Sequence, residues 1–568
     1  RLCRLAMGNA ALKQHFVKIL EQHAPLLVKD LPYEKLLGLS VLGASVTLQR
    51  LEIQEQVLEN LGILVPFQID RACLEEVELS LRGLQLQILA RKCVLRCRLR
   101  NWDTAAEEMR SVRPMELPHD VSSQPLLMRC LSSLNVRVMD IEVVFQMNDG
   151  EAIPWNWGVK LQASFDLPFD FLSKTAPSWH VNFHLQDLRV FCARAEQTEL
   201  CEDRGRILGP CDLRVETKGA KKRDLCYPDQ CFRLNIFLDH CPHTIRLNPA
   251  QLGLFSRLSQ IFVLWDALLH SLDLRGLLRR RIQELCELTG QEPLSCAKIQ
   301  ILGDFPGLEM VGSGGDSEEP TAMLRFVGSS EEDLIPLDLE VQVYAEPRWA
   351  FGSKVKIHDF CVQMEGLQKV RLLDHAGEFY AQMDAWTGEL DRPRACELRL
   401  GDLRLQLDAE EVMSLLMFLS EILGFILETE NDVMGDIHLV GDDIREIWSE
   451  ASVEPWFSDS PWPCMQISCT DPVRILLPCG VLPPMVVSFE LGHGEDMEDG
   501  LQFQLSNVCS WFCATLPLDR RNYSLPPAKD AAWTPQRQRL MECKSMMIIL
   551  QHQEFALEAP SVAVLLAP

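Results

Sequence analysis

Residues 126–165, LLMRCLSSLNVRVMDIEVVFQMNDGEAIPWNWGVKLQASF, alternate apolar and polar side chains in run after run, with no helical pattern between them. Leu134, Val136 and Val138, then Ile141, Val143 and Phe145, then Val159, Leu161, Ala163 and Phe165 each fall two apart. That period sets side chains on one side of a pleat. The same period runs through Val46 and Leu48, Leu51 and Ile53, then Val77, Leu79 and Leu81, then Leu84, Leu86 and Ile88. It returns at 179–192 with Val181, Phe183 and Leu185, at 211–216, and at 231–238 with Leu234, Ile236 and Leu238. Further runs occupy 465–477, 485–491 and 501–516. Each run predicts a strand of a sheet with one apolar face. Too few amphipathic helices are available to cover that face, which leaves a second sheet or a non-protein ligand as the cover.

Three segments carry the helical period instead. Residues 10–29 place Leu12, Phe16, Ile19 and Leu20 on one stripe, with Pro25 set to kink or end the helix. A second start is marked by Asn248 as N-cap, Pro249 at the first helical position and Gln251 at the capping-box position. The apolar spacing after it continues to about Leu288. Near 398–428 the unit recurs: ELRLGDLRLQLD supplies strands, and Asp408 with Glu411 caps MSLLMFLSEILGFILE over 409–428. The two copies lie about 160 residues apart and read as an internal repeat. The composition of 217–230 and of 308–333 predicts surface loops, and 430–463 is acidic and punctuated by Trp and Pro.

With 47% hydrophobic and 24% charged residues, the chain of 568 residues is folded rather than disordered. Its formal charge of −26 repels phosphate backbones, so nucleic acid is excluded as the main partner and charge alone does not drive binding to an anionic bilayer. Lys221-Lys222-Arg223 and Arg279-Arg280-Arg281 are local basic exceptions, read as solvated faces. Twenty-one cysteines are too dilute for a disulfide scaffold, and Cys93 and Cys97 occupy apolar slots of a strand pattern, which predicts reduced thiols in a cytosolic setting. No apolar run reaches the roughly 18–20 residues that span a bilayer. Arg1 in place of Met points to a fragment or processed chain, and the apolar run SVAVLLAP at the other end predicts further strands beyond it.

Chemistry is sparse. Cys93-x3-Cys97, Cys226-x4-Cys231, Cys464-x4-Cys469 and His240-Cys241-Pro242-His243 do not form a zinc spacing. GSGGDS at 312–317 lacks the Gly-Lys-Ser/Thr ending of a phosphate cradle, and GEDMEDG at 494–500 does not fit an EF-hand. No Ser/His/Asp constellation stands out. The expectation is a protein with no catalytic residues, no metal and no cofactor.

Several motifs, in order, resemble the chorein family, the bridge-like lipid transfer proteins of the vacuolar protein sorting 13 type. After the N-terminal helix come Leu37-Gly38, Gly43, the alternating Val46/Leu48 and Leu51/Ile53, Val65-Pro66-Phe67, Ile69, Leu74 and Val77. LLMRCLSSLNVRVMDIEVVFQMND is similar to the family's helix leading into an N-L-x-V-x-I strand, and Trp157-Gly158-Val159-Lys160-Leu161 to its F-G-V-x-L strand. ILGPCDLRV at 207–215, LNPAQLGLFSRLSQI with Gln251 in the family's Gln slot, and CTDPVRILLP at 469–478 extend the likeness over most of the chain. Ala72 stands where the family commonly has Gly, Leu81-Arg82-Gly83 replaces an I-P-W turn, and the repeat at Asp408 lacks the helix Gln.

The resemblance implies a mainly β fold with a few helices: an elongated, U-shaped, repeating groove of antiparallel strands behind an N-terminal amphipathic helix. Strands about 4.8 Å apart, on the order of 25 of them, would run roughly 120 Å. The expected divisions are 1–104, a chorein-like start; 105–290 and 291–430, groove repeats each ending in a helix; and 431–568, further groove strands. The alternating residues named above, from Val46 to Leu238 but without Leu84, Leu86, Ile88 and Ala163, would line the groove. Leu12, Phe16, Ile19 and Leu20 would touch a donor membrane, with the endoplasmic reticulum as the candidate, or plug the end of the sheet. Bound phospholipids would be cargo, membrane surfaces and organelle adaptors the partners, and the location cytoplasmic and peripheral at organelle contact sites. The alternative is a tethering scaffold of the same fold whose core is closed and free of lipid.

Overall fold

The computed structural model describes residues 28–29, 42–60, 64–82, 85–101, 105, 107–109, 134–147, 155–166, 178–194, 205–220, 232–272, 296–311, 323–328 and 334–344, and beyond these 350–365, 369–386, 395–406, 413, 415–420, 464–469, 471–479, 482–497, 500–512, 539–551, 554–558 and 562–564. It is mainly β, with few helices. Two compact units divide it: residues 1–242, 254–297 and 429–453, and residues 243–253, 298–428 and 454–568.

In the first unit, eight strands lie side by side in chain order. They are β1 (Leu42–Glu52), β2 (Phe67–Arg82), β3 (Gln85–Leu99), β4 (Asn135–Met147), β5 (Trp155–Asp166), β6 (Ser178–Arg194), β7 (Arg206–Ala220) and β8 (Phe232–His240). Every neighbouring pair is antiparallel except β3 with β4, which run parallel. A parallel pair needs a crossover, and residues 101–133 supply it, with helical turns at 105 and 107–109.

The second unit repeats the device. β9 (Ile245–Leu247) pairs in parallel with β11 (Leu308–Val311) across an excursion that carries the helix Pro249–Ser271, called α2 because the short α1 is Val57–Asn60. β16 (Ala395–Leu400) and β17 (Asp402–Gln406) pair in parallel with β18 (Cys464–Cys469) and β19 (Val473–Cys479) across another, helical at 413 and 415–420. Between and after these lie β10 (Cys296–Phe305), β12 (Met323–Gly328), β13 (Ile335–Tyr344), β14 (Ala350–Glu365), β15 (Lys369–Trp386), β20 (Leu482–Met497), β21 (Gly500–Phe512), β22 (Arg539–Gln551), β23 (Glu554–Glu558) and β24 (Val562–Val564). A meander followed by a helix-bearing excursion into a parallel strand is the structural repeat. The connection between β3 and β4, helical at 105 and 107–109, adds a further such crossover that the helical period in the sequence did not reveal.

Three expectations need correction. The runs 134–138 and 141–145 are one strand, β4, not two. The stretch 308–333 is not all loop, because Leu308–Val311 and Met323–Gly328 pair antiparallel. Nor does 217–230 begin as loop: β7 continues to Ala220, where Thr217, Lys218 and Gly219 face Leu234, Arg233 and Phe232. Residues 10–27, Asp408, Glu411 and 430–463 lie outside the described residues.

The joining of two runs into one strand has a local cause. Apolar positions step by two along each half strand, then by three at the middle: Leu48 to Leu51, Ala90 to Cys93, Leu185 to Leu188, Ile357 to Phe360, Leu505 to Val508. A step of three would turn the second half over unless the backbone turns back. Arg50, Lys92, Asp187, Asp359 and Asn507, one inside each of these steps, have φ of 51°, 54°, 51°, 46° and 52°. These left-handed residues, with bulges between Val138 and Ile141 on β4 and between His358 and Phe360 on β14, return both halves to the same face and kink the strands. The kinks of neighbouring strands are aligned: Arg50 lies abreast of Glu75, and Glu75 abreast of Lys92. A crease therefore runs across the strands.

Left-handed φ at a branched residue costs about 1–3 kcal/mol, so Asn507→Val should lower the stability of the second unit by that amount in denaturant titration. Asn507→Gly should be near neutral. Equal losses for the two substitutions would show that the crease does not depend on this conformation.

Candidate functional site: an apolar sheet face

Register places the sequence-predicted residues of the first unit on one face. Val46, Leu79, Ile88, Val136, Phe165, Phe183, Val215 and Ile236 stand abreast across all eight strands. Leu48, Val77, Ala90, Val138, Ala163, Leu185, Leu213 and Leu238 form the next row. Beyond the crease lie Leu51, Leu74, Cys93, Ile141 and Leu161, then Val143 beside Val159, then Phe145 beside Trp157. Val181 and Leu234 belong to the same face through Thr217. No side chain in these rows is charged. Ile53 and Leu134 flank the strands, half-buried, and Leu81 lies in β2 opposite Leu86. Leu12, Phe16, Ile19 and Leu20 lie outside the described residues.

Charges occupy the other face and pair across strands, Arg91 with Glu76 at 3.4 Å and Arg214 with Asp239 at 3.7 Å, or along one strand, Lys218 with Glu216 at 3.3 Å. Such exposed pairs each contribute about 0–1 kcal/mol, so their effect is solubility more than stability. On this face Gly158 lies beneath Phe191, whose ring would stand 2.3 Å from a Cβ there, which explains why that position of the Trp157–Leu161 motif is glycine.

Burial of the apolar face is uneven. At the β1–β3 end Val46, Leu48, Leu51, Val77 and Ala90 form a buried cluster against which Val28 packs. At its lower edge Phe67 stacks edge-on against Phe145 at 5.0 Å and meets Phe262 of α2 at 6.1 Å. From β4 to β8, by contrast, Val136, Val138, Ile141, Val143, Phe145, Val159, Leu161, Phe165, Phe183, Leu185, Leu234, Ile236 and Leu238 are only half-buried. The polar positions between them, Asn182, His184 and Gln186 among them, are exposed.

The helix α2 starts as the sequence predicts, with Gln251 N–H donating to Asn248 Oδ1 at 2.8 Å and Asn248 N–H to Gln251 Oε1 at 3.0 Å. It is described to Ser271. In the first unit its Trp265 and Leu268 are buried with Ala105 and Met109. Trp265 Nε1 donates to the Leu64 carbonyl at 3.2 Å, and Arg100 lies 5.9 Å from its ring. The buried Arg100 also pairs with Glu59, with Glu108 at 3.2 Å, and with the Val65 carbonyl at 3.2 Å.

The second unit carries an equivalent face, whose residues the period in the sequence did not single out. Ile245, Leu308, Phe326, Val362, Leu373, Leu405, Ile475 and Val487 stand abreast. The same alternation was available in KVKIHDFCVQME, but the slip of three at Asp359 obscures it. Phe418 and Leu415 of the helical segment 413–420 pack on Leu324, Met364 and Leu372 of this face. On the opposite face some charges are buried and paired, with Asp402 accepting from Arg404 Nε at 3.1 Å and from Arg474.

A titratable side chain sits on the apolar side. His375, fully buried, stacks on Phe360 at 4.8 Å and meets Phe379 edge-on at 5.9 Å. Its Nε2 accepts the Gly401 N–H at 2.9 Å, which places the ring proton on Nδ1, where no partner is present among the described residues. Gly401 must be glycine here, since a Cβ would stand 2.3 Å from the Ala376 carbonyl oxygen. Burial holds the imidazole below its ordinary pKa of 6.5, against the pull of Asp359 and Asp402; His358 and Arg404 also lower it. A lowered folded-state value means that the unfolded chain binds the proton first as pH falls, so stability is full above about 6.5 and declines below it. The melting temperature should therefore drop between about pH 7.5 and about pH 5.5 in the wild type, and His375→Phe should flatten that slope. An unchanged slope would remove His375 as the cause.

Burial also pushes Cys97 up to about 11 and Cys192 up to about 12, so both act as neutral core side chains. Among the described residues, no cluster of three or more His, Cys, Asp or Glu could hold a metal ion, and no helix is long and apolar enough to cross a membrane. No protein-family model matches the chain, and no curated protein matches it.

Proposed function

We propose that the chain is a non-enzymatic conduit for glycerophospholipids, a chorein-type bridge acting at the periphery of apposed organelle membranes on their cytoplasmic side. The observation that carries this reading is the uncharged face spanning eight strands of the first unit and left half-buried from β4 to β8. Eight strands about 4.8 Å apart give roughly 34 Å of continuous track, longer than the hydrocarbon core of a bilayer, about 30 Å. Each acyl CH2 released into water costs about 0.8 kcal/mol, so a lipid leaves a membrane at useful rates only where another apolar surface receives it. Non-directional contacts let that lipid slide, whereas fixed polar partners would trap it at one place. Paired charges on the outer face keep such a strip in water.

The buried cluster at β1–β3 supports a closed first end of the track, where Leu12, Phe16, Ile19 and Leu20 would meet the donor membrane. It is also what a closed, lipid-free tethering scaffold would show, and that is the second reading. Transfer of a fluorescent phospholipid between donor and acceptor vesicles, held together by tags at both ends of the chain, separates the two. The conduit accelerates transfer over tags alone; a scaffold does not.

A further inference from the structure

Cys211 and Cys241 meet where β8 ends beside β7. Asp212 faces His240 across this antiparallel pair, and Cys211 and Cys241 are the next residues on the same two segments. Opposed residues of an antiparallel pair lie about 4.5–5.5 Å apart at Cα, inside the window of about 4.4–6.8 Å that a disulfide spans. Both thiols are free and buried, 1% and 6% exposed. Their side chains lie within reach of each other. Cys211 Sγ also lies 3.6 Å from the Leu188 carbonyl, an acceptor that holds its proton in place.

We propose that Cys211 and Cys241 form a reversible dithiol–disulfide site whose oxidant is hydrogen peroxide. The inference is independent of what the apolar face carries. The two sulfurs are not equivalent. Cys211 keeps its proton on the Leu188 carbonyl, which leaves Cys241 as the sulfur free to lose its own. This is the arrangement that makes one sulfur of a pair a nucleophile. Cys93, Cys97 and Cys192 are instead pushed up by burial.

In the first step the Cys241 thiolate attacks a peroxide oxygen. The O–O bond breaks, a sulfenic acid forms, and the leaving hydroxide takes a proton to become water. In the second, Cys211 gives up its proton and its sulfur attacks the Cys241 sulfur. The S–S bond forms as the S–OH bond breaks, and the hydroxide leaves as a second water. Two thiols and one peroxide thus give one disulfide and two waters. A thiol reductant returns the pair by exchange.

The test uses the intact chain, treated with hydrogen peroxide, alkylated and mapped by mass spectrometry. The expected result is a Cys211–Cys241 linked peptide as the dominant cross-link, with loss of two hydrogens, reversed by dithiothreitol. In Cys211→Ser, whose hydroxyl can still donate to the Leu188 carbonyl, dimedone should trap the sulfenic acid at Cys241. A folded wild type that forms no such link, or that links Cys241 chiefly to another cysteine, overturns the proposal. The wild-type result stands by itself if the variant fails to fold.

Discussion

Val136→Asp, Val143→Asp and Leu161→Asp, combined in one chain, should stop phospholipid transfer between tethered vesicles. The three positions lie on β4 and β5, on both sides of the crease, and on the half-buried part of the apolar face. An acyl chain passing that stretch would meet three carboxylates where it now meets methyl groups. A charge set into hydrocarbon costs about 2.5–3.5 kcal/mol on insertion scales, which is about two orders of magnitude in rate for each one encountered. The carboxylates can hydrate because the face is open there, so the chain should keep its far-ultraviolet circular dichroism. Asn156→Asp with Gln186→Asp, on the opposite face of β5 and β6, should leave transfer unchanged. A folded triple variant that transfers normally would show that lipid does not travel over this face.

Arg100→Ala should cost the first unit about 3–5 kcal/mol, the usual effect of removing one partner of a buried ion pair. Glu59, whose side chain is 11% exposed, would be left without its cation, and its Oε2 already has no partner. Glu108, the Val65 carbonyl and the Trp265 ring would lose theirs as well. The guanidinium therefore fastens α1, the start of β2, residue 108 and α2 at one corner. Denaturant titration should show the loss, and Arg100→Met with Glu59→Leu should recover most of it, because no charge then remains buried. If the double variant is no more stable than Arg100→Ala, the cost comes from lost packing and not from the stranded carboxylate.

Most of the fold was legible because period-two alternation is a direct image of a pleat, and register then carries each apolar residue to a place beside the next. The pairing of Val136 with Ile88 and Phe165 follows from phase alone once the strands are known to be neighbours. What hid was of three kinds. The left-handed Arg50 in β1 and the bulge between Val138 and Ile141 in β4 break the phase, so these single strands read as two runs. Short strands such as Leu308–Val311 and Met323–Gly328 were masked by the Gly, Ser and acidic residues between them. His375 carried no signal, since its neutrality depends on Gly401, 26 positions away, and on two phenylalanine rings brought over it by the fold. The capping box at Asn248 was the opposite case, because both hydrogen bonds lie within four residues and need no tertiary context.

Native mass spectrometry of the purified chain, followed by lipid extraction, tests the lipid conduit most directly. Several phospholipids bound per chain, with mixed headgroups, are the predicted result, because a face without fixed polar partners selects acyl chains and not headgroups. A folded monomer that carries no lipid would contradict it, and would mean that the half-buried rows from β4 to β8 belong to a scaffold.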